Sequence, residues 1–202
     1  MARIAFNLDK HRLGGLQDAV YGIVLTLLVL ELKLPHLGEH PESAALWQAL
    51  GSLLPKVLTW LLSFSVLAVF WLGETVLLRS VASVDRALAR FSLGQLALIS
   101  LLPFSTALIG EHGDLAPAAA VYALHILALA FLSWLRLSHV SRHATIDDAQ
   151  VLPSLSTARL RALVTVVCAL VAVGLAFIVP GYNMLALLPI LALPLFPRHE
   201  KP

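Results

Sequence analysis

An all-α, polytopic protein whose solvent is the lipid bilayer is the fold class this sequence predicts, on three observations. Of its 202 residues, 59% are apolar and only 13% are charged, about half the charge of an ordinary globular chain. Mean hydropathy is +0.86. The charges that remain cluster between uncharged stretches such as residues 91–110, near the roughly 20 residues a helix needs to cross hydrocarbon. The apolar fraction excludes a disordered or fibrous chain, and the single cysteine, Cys168, excludes a disulfide-stapled one. A net charge of +2 leaves no basic surface for nucleic acid.

Six transmembrane helices follow from the charge gaps, in one unit over residues 1–202. The first covers residues 16–34. It reads as a retained span and not a signal peptide, because no small-residue cleavage site follows and Asp18 opens its apolar run. The second covers 50–73, with a helical lead-in over 44–55. The third, 91–110, carries no Asp, Glu, Lys or Arg, and the fourth, 115–137, carries none before Arg136. Residues 162–197 are also uncharged but too long for one crossing. Pro180-Gly181 divides them, since proline cannot continue the hydrogen-bond ladder and glycine favours the turn. The fifth span is thus 161–179 and the sixth 182–197.

Orientation follows from the basic residues. With the N-terminus cytoplasmic, the inner side holds every Lys and Arg except Lys33 and Lys56, including Arg12, Arg79, Arg136 and Arg161. That bias requires an even number of crossings and puts both termini inside. Glu31, Glu39, Glu42, Glu111 and Asp114 fall outside. Of these, Glu31 stays close to the membrane and is read as part of an acidic mouth that concentrates cations.

The first helix carries the most information. At 100° per residue, Leu16, Ile23, Leu27, Leu30 and Leu34 share one narrow stripe with coiled-coil spacing. Gly22, Thr26 and Lys33 lie on its flank, and Asp18 lies on the far side. A carboxylate at this depth needs a partner. Depth selects Trp71 on the second span and Gln95 on the third, with Arg12 able to join them. These four residues are read as a polar clamp holding three helices together.

Catalytic and cofactor chemistry find little support. No Ser-His-Asp or Cys-His set shares a depth. His125 is the one histidine well inside a span, whereas a bis-histidine haem needs two. His139 and His143 are four residues apart, with Asp147 and Asp148 beyond, but lack a convincing third ligand for a metal. No enzyme activity, metal or cofactor is expected. A secondary transporter would show an internal repeat, yet the fourth span has no counterpart of Asp18, Thr26 and Glu31. A transporter and a non-conducting membrane protein stand as the alternatives.

Arg12-Leu-Gly-Gly-Leu16-Gln17-Asp18, then Thr26 to Glu31, Phe70-Trp71 and Leu101-Leu-Pro-Phe-Ser-Thr106 resemble the transmembrane protein 175 family. Arg12 and Asp18 match the family mark of Arg, three residues, then Phe-Ser-Asp; Leu16 and Gln17 stand where it has Phe and Ser. The resemblance covers the six-span unit once. It implies a potassium channel of a prokaryotic cell membrane, a homotetramer with the first helix lining a central pore. It also implies a constriction of apolar rings, mapping here onto Ile23, Leu27 and Leu30, with Leu34 and Glu31 at the mouth and the Thr26 hydroxyl beside the ions. The carbonyl filter sequence Thr-Val-Gly-Tyr-Gly is absent from the chain. Potassium ions, lipid and further copies of the chain are the partners expected.

Overall fold

The computed structural model describes residues 9–37, 42–143 and 152–192, and among them the chain is helical with no sheet. Eight α-helices follow in order: α1 (Lys10–Leu27), α2 (Ser43–Ser52), α3 (Leu54–Ser80), α4 (Arg86–Ser100), α5 (Leu102–His112), α6 (Ala116–His143), α7 (Leu152–Ala176) and α8 (Leu188–Ala192). Short 3-10 segments extend α1 over Leu28–Glu31 and precede α8 over Asn183–Leu187. Five stretches are long and apolar enough to cross a membrane: Lys10–Glu31, Leu54–Ser80, Arg86–His112, Ala116–Arg142 and Leu155–Ala176.

The boundaries differ from the charge gaps in an informative way. The lead-in to the second span is a separate helix, α2, and α3 starts afresh with Pro55 in its first turn, where a missing N–H costs nothing. α3 then runs past Glu74 to Ser80, and α6 runs past Arg136 to His143. Neither charge ends its helix, because both are buried. Arg136 therefore lies inside the bundle and does not belong to the inner surface charges. The described part of the last segment comprises a 3-10 piece, Asn183–Leu187, and a helix, Leu188–Ala192. Residues 193–197 of the expected sixth span lie outside the described residues.

Gly181 makes the return into that segment. Its φ is +85°, in the left-handed region, and an added Cβ would sit 3.2 Å from the carbonyl oxygen of Gly113. Only glycine meets both conditions without strain.

The main core joins α1, α3, α4, α5, α6, α7 and the last segment around Val66, Leu67, Ile99, Leu102, Tyr122, Ile126 and Leu187, all essentially inaccessible. α6 and α7 make the longest helix contact. Fully buried Ala119, Ala123 and Ala130 on one helix, with Ala169, Ala172 and Ala176 on the other, let their backbones approach. Small residues serve this purpose where lipid gives no hydrophobic drive between helices. A smaller core at the opposite end collects Leu13, Leu77, Val81, Val84, Leu88, Leu137, Val140 and Leu155.

Two polar devices hold the third span. It breaks between α4 and α5, where Pro103 lacks the N–H that would reach back one turn. There His125 spans the break, with Nε2 2.8 Å from the Leu98 carbonyl oxygen and Nδ1 2.7 Å from the Ser105 hydroxyl. This histidine is a helix-to-helix tie. At the start of the span, Asp85 caps α4: its carboxylate accepts from the Leu88 N–H at 2.7 Å and from His139 Nε2 at 2.8 Å. His139 is thereby engaged with Asp85, and no cluster of three potential metal ligands occurs among the described residues. The His143 side chain, Asp147 and Asp148 lie outside those described.

Partial burial alone raises the Asp85 carboxyl, but the Leu88 N–H, His139 and the Ala87 N–H outweigh it and hold the group below its ordinary value. A depressed carboxyl stabilises the fold above its unfolded pKa of about 3.9 and loses that contribution as pH falls through the lower folded value. The thermal midpoint of the purified protein should drop as pH falls from about 4 towards 3. Asp85→Asn, which still caps, should flatten that dependence, and Asp85→Ala should cost about 1 kcal/mol at neutral pH.

Candidate functional site

α1 has two faces with opposite fates. Leu13, Gln17, Tyr21, Val24 and Leu28 are buried against the chain's own helices. Across from them, Ile23 is 58% exposed, Leu27 40% and Leu30 62%, and Leu16 is exposed on the same line. A helix that packs one apolar stripe internally and bares a second, narrower one is prepared for two neighbours. The chain itself supplies only one. Glycines 15 and 22 on the bare side have nothing within 4 Å of an added Cβ.

The stripe does not stay on a regular helix to its end. α1 tightens into the 3-10 turn Leu28–Glu31, and Leu34 lies beyond it in non-helical chain, exposed. Thr26 is exposed beside the stripe, and its hydroxyl donates to the Ile23 carbonyl oxygen at 2.7 Å. The proton is thus committed to the backbone while the oxygen lone pairs face away from the core. Glu31 turns towards α3 and α5. With Lys56, Trp60, Thr106 and Glu111 it lines a shallow pocket, where Lys56 lies 3.9 Å from Glu111.

Below Ile23 the polar residues divide into two groups. Trp71 Nε1 donates to Asp18 Oδ1 at 2.9 Å, on the exposed side of the contact between α1 and α3. Gln95, at the same depth, donates instead to Ser133 on α6 at 2.7 Å, and Arg12 is exposed and joins neither. Depth along the membrane does not fix which way a side chain points, and Gln95 points to α6.

The second group is one the sequence reading passed over. Arg136, fully buried on α6, forks onto Glu74 of α3: Nη1 donates to Oε1, and Nη2 donates to Oε2 at 2.6 Å. Gln17 of α1 donates to the same Oε2 at 2.8 Å. One signal for it was available. Glu74 and Arg136 are opposite charges, each set within a long apolar helix at matching depth.

A bidentate guanidinium–carboxylate pair is a strong geometry, but its desolvation costs several kcal/mol per ion, so breaking it is worse than lacking it. Arg136→Met should therefore destabilise the protein by about 3–5 kcal/mol by stranding Glu74. The thermal midpoint or the folded yield in detergent reads this directly. Replacing both members, as Glu74→Leu with Arg136→Met, should recover most of the loss.

Comparison with known proteins places these features in a family. The sequence model of "Endosomal/lysosomal potassium channel TMEM175" matches residues 12–103, which contain the whole of α1 from Arg12 onward and the pair of helices that grip it. A potassium channel of Streptomyces collinus is 33% identical over 175 residues, 84% of either chain. A potassium channel of Chamaesiphon minutus is 34% identical over 143 residues, 69% of this chain and 68% of that one. The fold is similar to the crystal structure of a lysosomal potassium-selective channel TMEM175 homolog from Chamaesiphon minutus. There the TM-score is 0.77 and the identity 28%, over 92% of this chain and 96% of the other. With identity of this level along most of its length and the same helical architecture, the chain belongs to the TMEM175 family and is a multi-pass membrane protein.

Proposed function

We propose that this chain is the subunit of a homotetrameric potassium channel of a prokaryotic cell membrane, with α1 of each copy lining a central pore. The observation that carries the reading is the bare stripe of Ile23, Leu27 and Leu30 on a helix whose other face is packed. Relatives along most of the chain are named potassium channels. The distribution of basic residues, with Arg136 removed from the count, still favours cytoplasmic N- and C-termini.

In this arrangement the narrowest part of the pore is apolar. Four Ile23 side chains around an axis expel water when close together, and a dewetted ring stops ions without any charged barrier. Rotation or tilt of α1 widens the ring enough for water and a partly hydrated cation. Potassium gives up its water more readily than sodium, so a tight apolar ring favours it without coordinating it. Thr26 stands one turn further along, where its oxygen can replace one of the waters lost. Glu31 at the outer end raises the local cation concentration.

Purified protein in liposomes should pass potassium down a gradient well above empty vesicles, and flux equal to that of empty vesicles rejects the channel. Ile23→Ala should raise resting conductance several-fold by opening the plug. Unchanged conductance and selectivity would move the constriction away from Ile23. A saturable flux of a single solute would instead favour a transporter.

Thr26→Val keeps the volume of the side chain and removes its oxygen. The ratio of potassium to sodium permeability should fall at least twofold in reversal-potential measurements. An unchanged ratio would leave selection to the apolar rings alone.

A further inference from the structure

We infer that Gln17, acting through Glu74, sets the rotational seat of α1 and so determines how far the constriction stands closed at rest. This rests on the channel reading above and adds to it a positioning residue outside the ion path.

Two side-chain hydrogen bonds join the membrane-embedded part of α1 to α3, from Gln17 to Glu74 and from Trp71 to Asp18. They use neighbouring residues of α1, about 100° apart around its axis. On α3 they use Trp71 and Glu74, three residues apart and so on one side of that helix. One such tie would let α1 pivot about it. Two ties that leave the helix in diverging directions fix its rotation as well as its height.

The two ties are not equivalent. The bond to Asp18 is on an exposed edge, while Gln17 is 1% exposed and Glu74 5%. Glu74 is itself immobilised by the fork from Arg136, whose side chain is entirely inaccessible. The anchor is therefore rigid, and Gln17 is the part that can let go. Ile23 lies six residues further on, about 9 Å along the axis. Turning α1 by about 30° displaces each Cα, at a radius of about 2.3 Å, by about 1.2 Å. Its side chain moves further, and four copies moving together change the ring substantially.

The surroundings of the anchor offer α1 a second seat. Gln17 Oε1 and Arg136 Nε are buried with no hydrogen-bond partner among the described residues. Tyr21 is one turn above Gln17, hydrogen-bonds to Gln95 and lies within electrostatic reach of Glu74 and Arg136. A buried polar group without a partner is costly, so a half-satisfied network favours any small shift that pairs more of its members. A rotation of α1 moves Gln17 relative to Glu74 and Arg136 and so can exchange one hydrogen bond for another. That is the property a two-position helix needs.

The test is Gln17→Leu in the full-length channel, recorded in planar bilayers. Glu74 keeps both bonds from Arg136 in this variant, so no buried charge is stranded. The open fraction should shift at least fivefold, with single-channel conductance and the potassium-to-sodium permeability ratio unchanged. A wild-type open fraction, even with a lowered thermal midpoint, would reduce Gln17 to a structural role and overturn the proposal. Glu74→Leu with Arg136→Met should reproduce the shift, and adding Gln17→Leu to that pair should change nothing more. A further shift in the triple variant would show that Gln17 does not act through Glu74, and would also overturn it. Absence of potassium flux from the wild type sinks the channel reading and the positioning role together, whereas wild-type flux with an unaltered Gln17→Leu sinks the positioning role alone.

Discussion

The fork between Arg136 and Glu74 is the constraint to which the membrane-spanning part of this chain is fitted. Neither charge could be tolerated in hydrocarbon alone, and each breaks an otherwise apolar helix. Together they neutralise one another, and in doing so they fix α3 against α6 at one height and one azimuth. α6 in turn lies along α7 through buried alanines, and α3 carries the residues that grip α1. The position of the leading helix is thus referred, through this ion pair together with the Ser63–Tyr122 and Gln95–Ser133 hydrogen bonds, to the most closely packed part of the bundle. A purely apolar interface between α3 and α6 could slide by a turn at little cost, because lipid and leucine are equally oily. An ion pair with fixed fork geometry cannot.

The division of labour along the bundle follows. One end of the molecule has the alanine-lined contact, the glycine turn at Gly181 and the histidine that bridges the break before Pro103. The other end has the ion pair, the capped start of α4 and a separate apolar cluster. α1 is held at the second end by hydrogen bonds and near its middle by Tyr21, Val24 and Leu28. Beyond Leu28 the 3-10 turn packs against α3 and α5, where Glu31 and Leu32 lie beside Trp60 and Thr106.

Much of this was legible in the sequence, and for identifiable reasons. Uncharged stretches of membrane length find the long helices because charge is expensive in hydrocarbon. The spacing of Leu16, Ile23, Leu27 and Leu30 finds a common face because helical periodicity is a local property. What could not be read were pairings between distant helices. Charge gaps stop the second span at residue 73, just before Glu74, and the fourth at 137, just after Arg136, since a sequence displays the cost of each charge but not the partner that cancels it. Gln95 was given to Asp18 on depth, but direction around the helix axis decides partners, and Gln95 faces Ser133. The separation of α2 from α3 likewise depends on a turn whose geometry apolar composition does not encode.

The tightening of the leading helix after Leu27 has a consequence for the shape of the oily surface. In an ordinary α-helix a residue three positions on falls about 60° behind, so a straight row of leucines soon wanders off. A 3-10 turn has three residues per revolution, and Leu30 therefore stands nearly above Leu27. The same turn rises about 2 Å per residue instead of about 1.5 Å. From Ile23 to Leu30 the row stays aligned over about 11–12 Å, several water diameters. In the proposed pore, where four copies meet through this face, the length of the apolar sleeve as well as its narrowest bore would set the barrier to a cation.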